Sequence, residues 1–238
     1  MSNAIRSSLI SLIAGLLLVS CQRNPANLPN LPPDTPTKVV EHAMGTSRVP
    51  MAPGRIVVLD TTPLDAALAL GNQPVGTIRY GSPPDYLGGV VHEIDVIGQY
   101  NQPNLETILR LSPDLILGAK SISEGIYPKL SRIAPTVFIE GADYSWDWKN
   151  NFRLFAEAMG KSERAEQLLA DYQQQLENLR HSVESPPETT VISVLIATKG
   201  ELVAHTLTSF SGSILEEIGF ARNSTQDTDE NFFVRLSR

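Results

Sequence analysis

Short apolar runs rich in β-branched residues alternate with helix signals between residues 55 and 140. The run Ile56–Leu59 is apolar throughout, which is typical of a strand buried on both faces of a parallel sheet. Thr62 is then the predicted N-cap of a helix with Pro63 at its first position, and Gly71 ends that helix. The other predicted elements of this region are strands at 74–78, 95–98, 115–118 and 136–139 and helices at 105–111 and 127–133. Such alternation predicts an α/β fold with a largely parallel sheet.

The pattern changes after residue 140. Residues 148–159 are predicted to be helical, and Ser162 can begin a longer helix, whose apolar residues recur at intervals of three and four up to Val183. Two prolines after Ser185 end it, and residues 190–196 are predicted to form a strand that begins a second α/β unit. The predicted order is therefore one lobe, a long helix and a second lobe.

The second predicted lobe is short. The 51 residues after Pro187 are about half of what a lobe like the first would need. Missing strands would leave an open sheet edge and an uncovered apolar face. We therefore expect the second lobe to be incomplete and the chain by itself to be prone to aggregation.

The amino terminus carries an export pattern. Arg6 precedes an apolar segment at residues 9–19, which has secretory-signal length and is too short to span a membrane. The segment ends in Leu18-Val19-Ser20-Cys21, which resembles the bacterial lipobox, where the cysteine becomes lipidated after cleavage. The alternative is a plain signal peptide with a chance cysteine. Cys21 is the only cysteine, so it cannot form a disulfide within the chain.

The segment that follows Cys21 is rich in proline. Five prolines lie between residues 22 and 36, with few large apolar side chains, so this stretch is predicted to be an extended tether. Residues 38–50 can form a short strand and turn. Removal of residues 1–20 leaves 218 residues with an ordinary globular composition. The net charge of −7 and the lack of any basic run disfavour nucleic acid as a partner.

Four segments together resemble one protein family. They are residues 55–60, 102–117, 133–137 and 209–215, and they resemble segments of the substrate-binding lipoproteins of ABC importers for iron–siderophores and cobalamin. The resemblance implies the two-lobed fold of periplasmic binding proteins, with the lobes joined by one long helix and the ligand held between them. It also implies a function, the capture of a ferric siderophore and its delivery to the permease and ATPase of the importer.

The resemblance also divides the chain into segments. These are a lipoprotein signal peptide at 1–20, the lipidated cysteine with tether and lead-in at 21–53, an N-terminal α/β lobe at 54–140, a connecting helical segment at 141–188 and a partial C-terminal α/β lobe at 189–238.

Ligand-binding residues are expected in loops at the carboxyl ends of strands. These loops are 60–62, 79–80, 120–121, 144–146, 198–199 and 209–210. Siderophores are bulky, often anionic and partly aromatic, which suits the planar cation of arginine and the flat surfaces of aromatic rings. The predicted ligand-binding residues are Thr61, Arg79, Tyr80, Trp146 and Lys199.

Three of these expectations carry alternatives. Arg79 is equally compatible with an ordinary surface charge. Trp146 and Trp148 flank Asp147, and we expect one of the two rings to pack against a lobe. Lys199 is the only cation in its loop, where the resembling family tends to carry arginines for catecholate and citrate chelates. The lysine therefore favours a neutral hydroxamate or mixed ligand.

Glu106 is the position that the resemblance assigns to docking on the permease. It lies two residues after Asn104, the predicted N-cap, where the helix dipole favours a carboxylate. The alternative is an ordinary first-turn helix residue.

Other chemistries have weaker support. The four histidines are scattered without a metal-ligand spacing, so no directly bound metal and no cofactor are predicted. Dinucleotide, P-loop and nucleophile-elbow motifs are absent, so the chain is not predicted to be an enzyme. The alternatives left open are a cobalamin, haem or metal-ion binder of the same transporter class, a lipid-anchored hydrolase and a structural surface lipoprotein.

Overall fold

The structure of the chain is a computed structural model. It describes residues 32, 34–79, 85–141, 147–182, 190–191, 194–196, 202–222 and 233–236. The predicted signal peptide, Cys21 and most of the tether lie outside the described residues. Among the residues it describes, no helix is both long and apolar enough to cross a membrane.

The described chain opens with a β-hairpin. Strands β1 (Thr37–His42) and β2 (Gly45–Pro50) pair antiparallel along their full length, and Gly45 takes a φ of +111° at the turn. The amide of Ala43, in the turn, donates to the Phe138 carbonyl at 3.0 Å, which joins the hairpin to the body of the fold. The strand and turn predicted for residues 38–50 are therefore confirmed, with a second strand added.

A six-stranded sheet forms the centre of the first lobe. Its strands are β3 (Ile56–Val58), β4 (Gly76–Arg79), β5 (Asp95–Gln99), β6 (Gln102–Pro103), β7 (Leu115–Ala119) and β8 (Thr136–Ile139). Their order is β6-β5-β4-β3-β7-β8, and every neighbouring pair is parallel except β5 and β6. The predicted largely parallel α/β sheet is confirmed.

Helices cover both faces of this sheet. The α-helices among the described residues are α1 (Thr61–Ala69), α2 (Leu105–Arg110), α3 (Lys120–Ser123), α4 (Tyr127–Leu130), α5 (Trp148–Ala158), α6 (Ser162–Ser182) and α7 (Phe210–Ile218). Val58 faces a core that includes Leu64 and Phe155, whereas Val57 faces a core that includes Ile108 and Phe138. Because successive side chains of β3 enter opposite cores, the strand is apolar at every position.

Helix α1 begins earlier than predicted. Its N-cap is Asp60, not Thr62, and Asp60 Oδ1 accepts from the Thr62 amide at 3.0 Å. Asp60 has extended backbone angles, so its carboxylate can reach forward to the first turn, and Thr62 lies within the helix instead. Another difference is that α4 ends at Leu130 rather than at residue 133, because the amides of Arg132 and Ile133 bond to carbonyls only three residues back and tighten the chain into turns.

The second unit starts with two strands where one was predicted. Strand β9 (Thr190–Val191) pairs parallel with β12 (Ala221–Arg222). Strand β10 (Val194–Ile196) instead joins an antiparallel sheet, with the order β10-β11-β13, together with β11 (Leu202–His205) and β13 (Phe233–Leu236). The segment predicted as one strand at 190–196 thus contributes strands to two sheets, which its sequence pattern alone does not reveal.

Helices α5 and α6 lie between the two units in the chain, and they confirm the two helices predicted at residues 148–159 and from Ser162 onwards. The turn between them contains Gly160, with a φ of +69°. A Cβ at this position would lie 2.2 Å from the carbonyl oxygen of Met51. The turn therefore requires glycine both for its backbone angle and for its close approach to the end of the hairpin.

Candidate functional site

Four charged side chains follow neighbouring strands along the carboxyl edge of the six-stranded sheet. Arg79 ends β4, Asp60 follows β3, Lys120 follows β7 and Glu140 follows β8. The charges therefore alternate in sign from one strand to the next. Ligands of open α/β sheets bind outside the carboxyl ends of the strands, so this edge is the first candidate for a ligand site.

Two members of this edge differ in burial. The side chain of Asp60 is 1% exposed and holds the first turn of α1 through its hydrogen bond to the Thr62 amide. Arg79 is exposed, and Thr61 is half-buried at the first position of α1. Asp60 therefore positions the helix, whereas Thr61 and Arg79 can reach a ligand from the sheet edge.

Lys120 and Glu140 form an ion pair at the same edge. Lys120 Nζ lies 2.6 Å from Glu140 Oε1, and the side chains are 30% and 72% exposed. The hydrogen bond to Glu140 raises the pKa of the Lys120 ammonium above its ordinary value. Lys120 thus remains a cation at neutral pH, with its charge balanced by a carboxylate that extends into solvent.

Three aromatic rings meet where α5, α6 and α7 come together. The ring of Trp148 makes edge-to-face contacts with Tyr172 and Phe210, at centroid distances of 5.1 and 5.9 Å. Phe210 is 43% exposed at the first position of α7. Phe210 therefore offers an exposed aromatic surface on the second unit, next to the connecting helices.

A polar cluster fixes these three helices to one another. Glu217 of α7 accepts from Lys149 Nζ at 2.7 Å and from the Tyr172 hydroxyl at 3.2 Å. Burial, and then the charge of Glu217, raises the pKa of Tyr172 to about 12. Lys149 Nζ also lies 5.6 Å from the centre of the Trp148 ring, in a cation–π arrangement.

The amino terminus of α7 is rich in hydroxyl groups. Ser209 is its N-cap, and Ser209 Oγ accepts from the Gly212 amide at 2.9 Å and donates to the Thr206 carbonyl at 2.7 Å. Ser211 Oγ lies 2.7 Å from His205 Nδ1. A Cβ at Gly212 would lie 1.8 Å from the Thr206 oxygen, so only glycine permits this tight entry into the helix.

Glu106 lies on the short helix α2, which directly follows strand β6. Asn104 is the N-cap, as predicted, and its Oδ1 accepts from the Thr107 amide at 3.0 Å. Glu106 is exposed in the first turn, and Leu109, one turn later, is 54% exposed. Helix α2 therefore presents an acid and an apolar side chain to solvent, and both are available to a protein partner.

Comparison with known proteins identifies the family. A profile of the family described as periplasmic binding protein matches residues 56–231. The chain belongs to this family. The probable siderophore-binding lipoprotein YfiY of Bacillus subtilis is 36% identical over 230 residues, which cover 95% of this chain and 70% of YfiY. The Fe(3+)-citrate-binding protein YfmC of the same organism is 29% identical over 195 residues, which cover 80% of this chain but only 61% of YfmC.

A solved structure agrees with this membership. The crystal structure of Staphylococcus aureus SirA complexed with staphyloferrin B is 28% identical and superimposes with a TM-score of 0.73, covering 85% of this chain and 71% of SirA. The predicted two-lobed fold of periplasmic binding proteins is thereby confirmed. These comparisons also confirm the resemblance on which the expected fold was based.

The described residues include only part of the predicted ligand set of this binding protein. Thr61 and Arg79 lie at the carboxyl edge, as expected, and their contact with ligand stays a prediction. Tyr80, Trp146 and Lys199 lie outside the described residues. Of the tryptophan pair, Trp148 packs at the helix junction, in line with the expectation that one ring would be occupied by packing.

Sequence reasoning missed Glu140 as a member of this edge. Glu140 follows a confirmed strand, so its position after β8 was the available signal, but its pairing with Lys120 depends on which strands are neighbours. Among the described residues, no group of three or more His, Cys, Asp or Glu side chains could hold a metal ion.

Proposed function

We propose that this chain is the substrate-binding component of an ABC importer and captures a ferric siderophore between its lobes. The proposal is carried by family membership over residues 56–231, together with a relative named as siderophore-binding that aligns with 95% of the chain. The edge formed by Arg79, Lys120 and Glu140 and the exposed ring of Phe210 supply charged and aromatic groups suited to such a chelate.

The function is binding rather than chemistry. The task of the cleft is to shield an intact chelate, and the family consists of binding proteins that serve transport. The contact between Ser211 and His205 belongs to the entry of α7, beside the cap formed by Ser209. We infer that the protein has no hydrolytic activity, so chromogenic esters and phosphates should not be turned over.

Export and anchoring complete the proposal. The lipobox-like segment that ends in Cys21 would place a lipid at the start of the tether, and YfiY is itself named a lipoprotein. The anchor would hold the folded lobes near the permease on the outer side of the cytoplasmic membrane or in the periplasm. Glu106 on α2 is the proposed docking residue for that permease.

A ligand titration of the full chain in detergent tests the proposal. The probes are ferric citrate, a ferric tris-catecholate, a ferric trihydroxamate and cobalamin, with tryptophan fluorescence and thermal melting as readouts. We expect one ferric chelate to quench fluorescence saturably and, at about a hundredfold excess over Kd, to raise Tm by about 5–10 °C. A cooperative melt that none of the chelates alters would contradict the proposed function. A shift with cobalamin alone would favour the cobalamin alternative.

A further inference from the structure

The ion pair of Lys120 and Glu140 occupies a part of the fold where ligands bind. Each residue directly follows a strand, β7 or β8, and these two strands are parallel neighbours. On its other side β7 neighbours β3, which leads into Asp60 and the start of α1. The pair therefore lies on the same edge as the predicted ligand residue Thr61. Glu140 neutralises the Lys120 ammonium there, at a place where a bound anion would need a cation.

The contacts of the pair make it suited to exchange. Among the described residues, the only hydrogen-bond acceptor of Lys120 is Glu140, so two of the three ammonium N–H donors remain for another partner. Glu140 is 72% exposed, whereas Lys120 is 30% exposed. Water can therefore solvate the Glu140 carboxylate when it separates from Lys120, whereas the less exposed Lys120 ammonium remains at the sheet edge.

We propose that an anionic oxygen of the bound ferric chelate replaces the Glu140 carboxylate on Lys120 Nζ. This inference rests on the proposed function and narrows its ligand to chelates that present a carboxylate oxygen not bound to the iron. Exchange of one carboxylate for another conserves the charge-assisted hydrogen bond. A chelate without such an oxygen gains nothing from Lys120 and leaves the ion pair intact.

Two charge-neutralising variants test the exchange. Wild type, Lys120→Gln and Glu140→Gln are titrated with ferric citrate and with a ferric trihydroxamate that carries no carboxylate. Lys120→Gln should weaken binding of ferric citrate about tenfold, because a charge-assisted hydrogen bond is lost. Glu140→Gln should strengthen it about threefold, because the competing carboxylate is gone. Neither variant should change binding of the trihydroxamate.

Lys129→Gln is the matched control. It removes the same charge from an exposed position on α4. This helix ends shortly before the start of β8, so it leads to the amino edge of the sheet, opposite the carboxyl edge. An equal loss of ferric citrate binding in this control would overturn the inference, because net charge alone would then explain the effect. The inference would also be overturned if Lys120→Gln bound ferric citrate as tightly as wild type, or if wild type bound only the trihydroxamate. Either result would leave the proposed function intact. A wild type that binds no ferric chelate would overturn both.

Discussion

His42 is a buried imidazole whose hydrogen bonds fix it in the neutral form. Its Nδ1 accepts from the amides of Met44 and Phe138, each at 3.3 Å, so its Nε2 carries the proton shared with Ser47 Oγ at 3.0 Å. Ser47 in turn donates to the Thr136 carbonyl at 2.8 Å. The histidine therefore joins the hairpin to β8, and burial lowers its pKa to about 4.

The lowered pKa predicts a loss of stability in mild acid. Unfolded His42 binds its proton near pH 6.5 and folded His42 only near pH 4, so the unfolded state gains protons first as the pH falls. The contribution is fully present above pH 6.5 and is lost between there and pH 4, amounting to about 2 kcal/mol between pH 7 and pH 5. Urea unfolding at both pH values measures it.

His42→Asn keeps an acceptor near Nδ1 but cannot titrate in this range. The variant should therefore lose about 2 kcal/mol of the stability difference between pH 7 and pH 5. His92→Asn changes an exposed histidine and should behave like wild type. An unchanged pH dependence in His42→Asn would show that the imidazole does not carry the effect.

Helix α2 illustrates how an element of only six residues is held in place. Asn104 caps its amino terminus, and the guanidinium of Arg55 donates to the Leu111 carbonyl at 2.6 and 3.0 Å at the other end. Asp114 completes the arrangement by accepting from the amides of Gly54 and Arg55 at 2.8 and 2.9 Å. So short a helix depends on these contacts for its orientation, and they direct Glu106 towards solvent.

The docking proposal predicts that ligand binding and transport separate in Glu106→Arg. Ligand affinity should stay within twofold of wild type, whereas iron uptake by cells that depend on this protein should fall at least about tenfold, because the charge facing the permease is reversed. Glu163→Arg is the matched control, since Glu163 is likewise exposed in the first turn of a helix. Full uptake with Glu106→Arg would contradict the docking role.

At the scale of the whole molecule, side-chain contacts join helix α7 of the second unit to the two helices α5 and α6. Trp148 and Lys149 of α5 and Tyr172 of α6 all contact α7 of the second unit, through Phe210 and Glu217. Side chains of both connecting helices thus hold the start of the second unit. Because these contacts hold α7 against both helices, we expect the two units to move little relative to each other when ligand binds.

Glu217→Gln tests the junction. It removes the charge that Lys149 and Tyr172 share, so the free energy of unfolding should fall by about 1–2 kcal/mol in urea titrations. The pKa of Tyr172 should drop only part of the way to its ordinary value, because burial is the larger cause of its shift. Glu216→Gln, at the exposed neighbouring position, should leave both quantities unchanged. If the two variants had equal free energies of unfolding, the result would contradict a stabilising role of the Glu217 charge.

The sequence by itself determined the local elements and the fold class. The apolar run at Ile56–Leu59, the cap at Asn104 and the apolar spacing of α6 are patterns of residues close together in the chain, and backbone geometry converts such patterns directly into strands and helices. The resemblance of four such segments to one family fixed the two-lobed arrangement. Competing local signals misplaced the cap of α1, because both Asp60 and Thr62 can serve as N-caps.

Only the tertiary structure decided which distant groups meet. Lys120 and Glu140 are twenty residues apart, and Lys149 and Glu217 sixty-eight, and each pair forms because the packing order of strands or helices makes their elements neighbours. Strands β9 and β10 enter two different sheets for the same reason, since their partners β12 and β11 lie further along the chain. The local residue pattern specifies whether a segment forms a strand or a helix. The pairing of distant elements specifies which side chains come into contact, and the candidate site of this protein depends on that pairing.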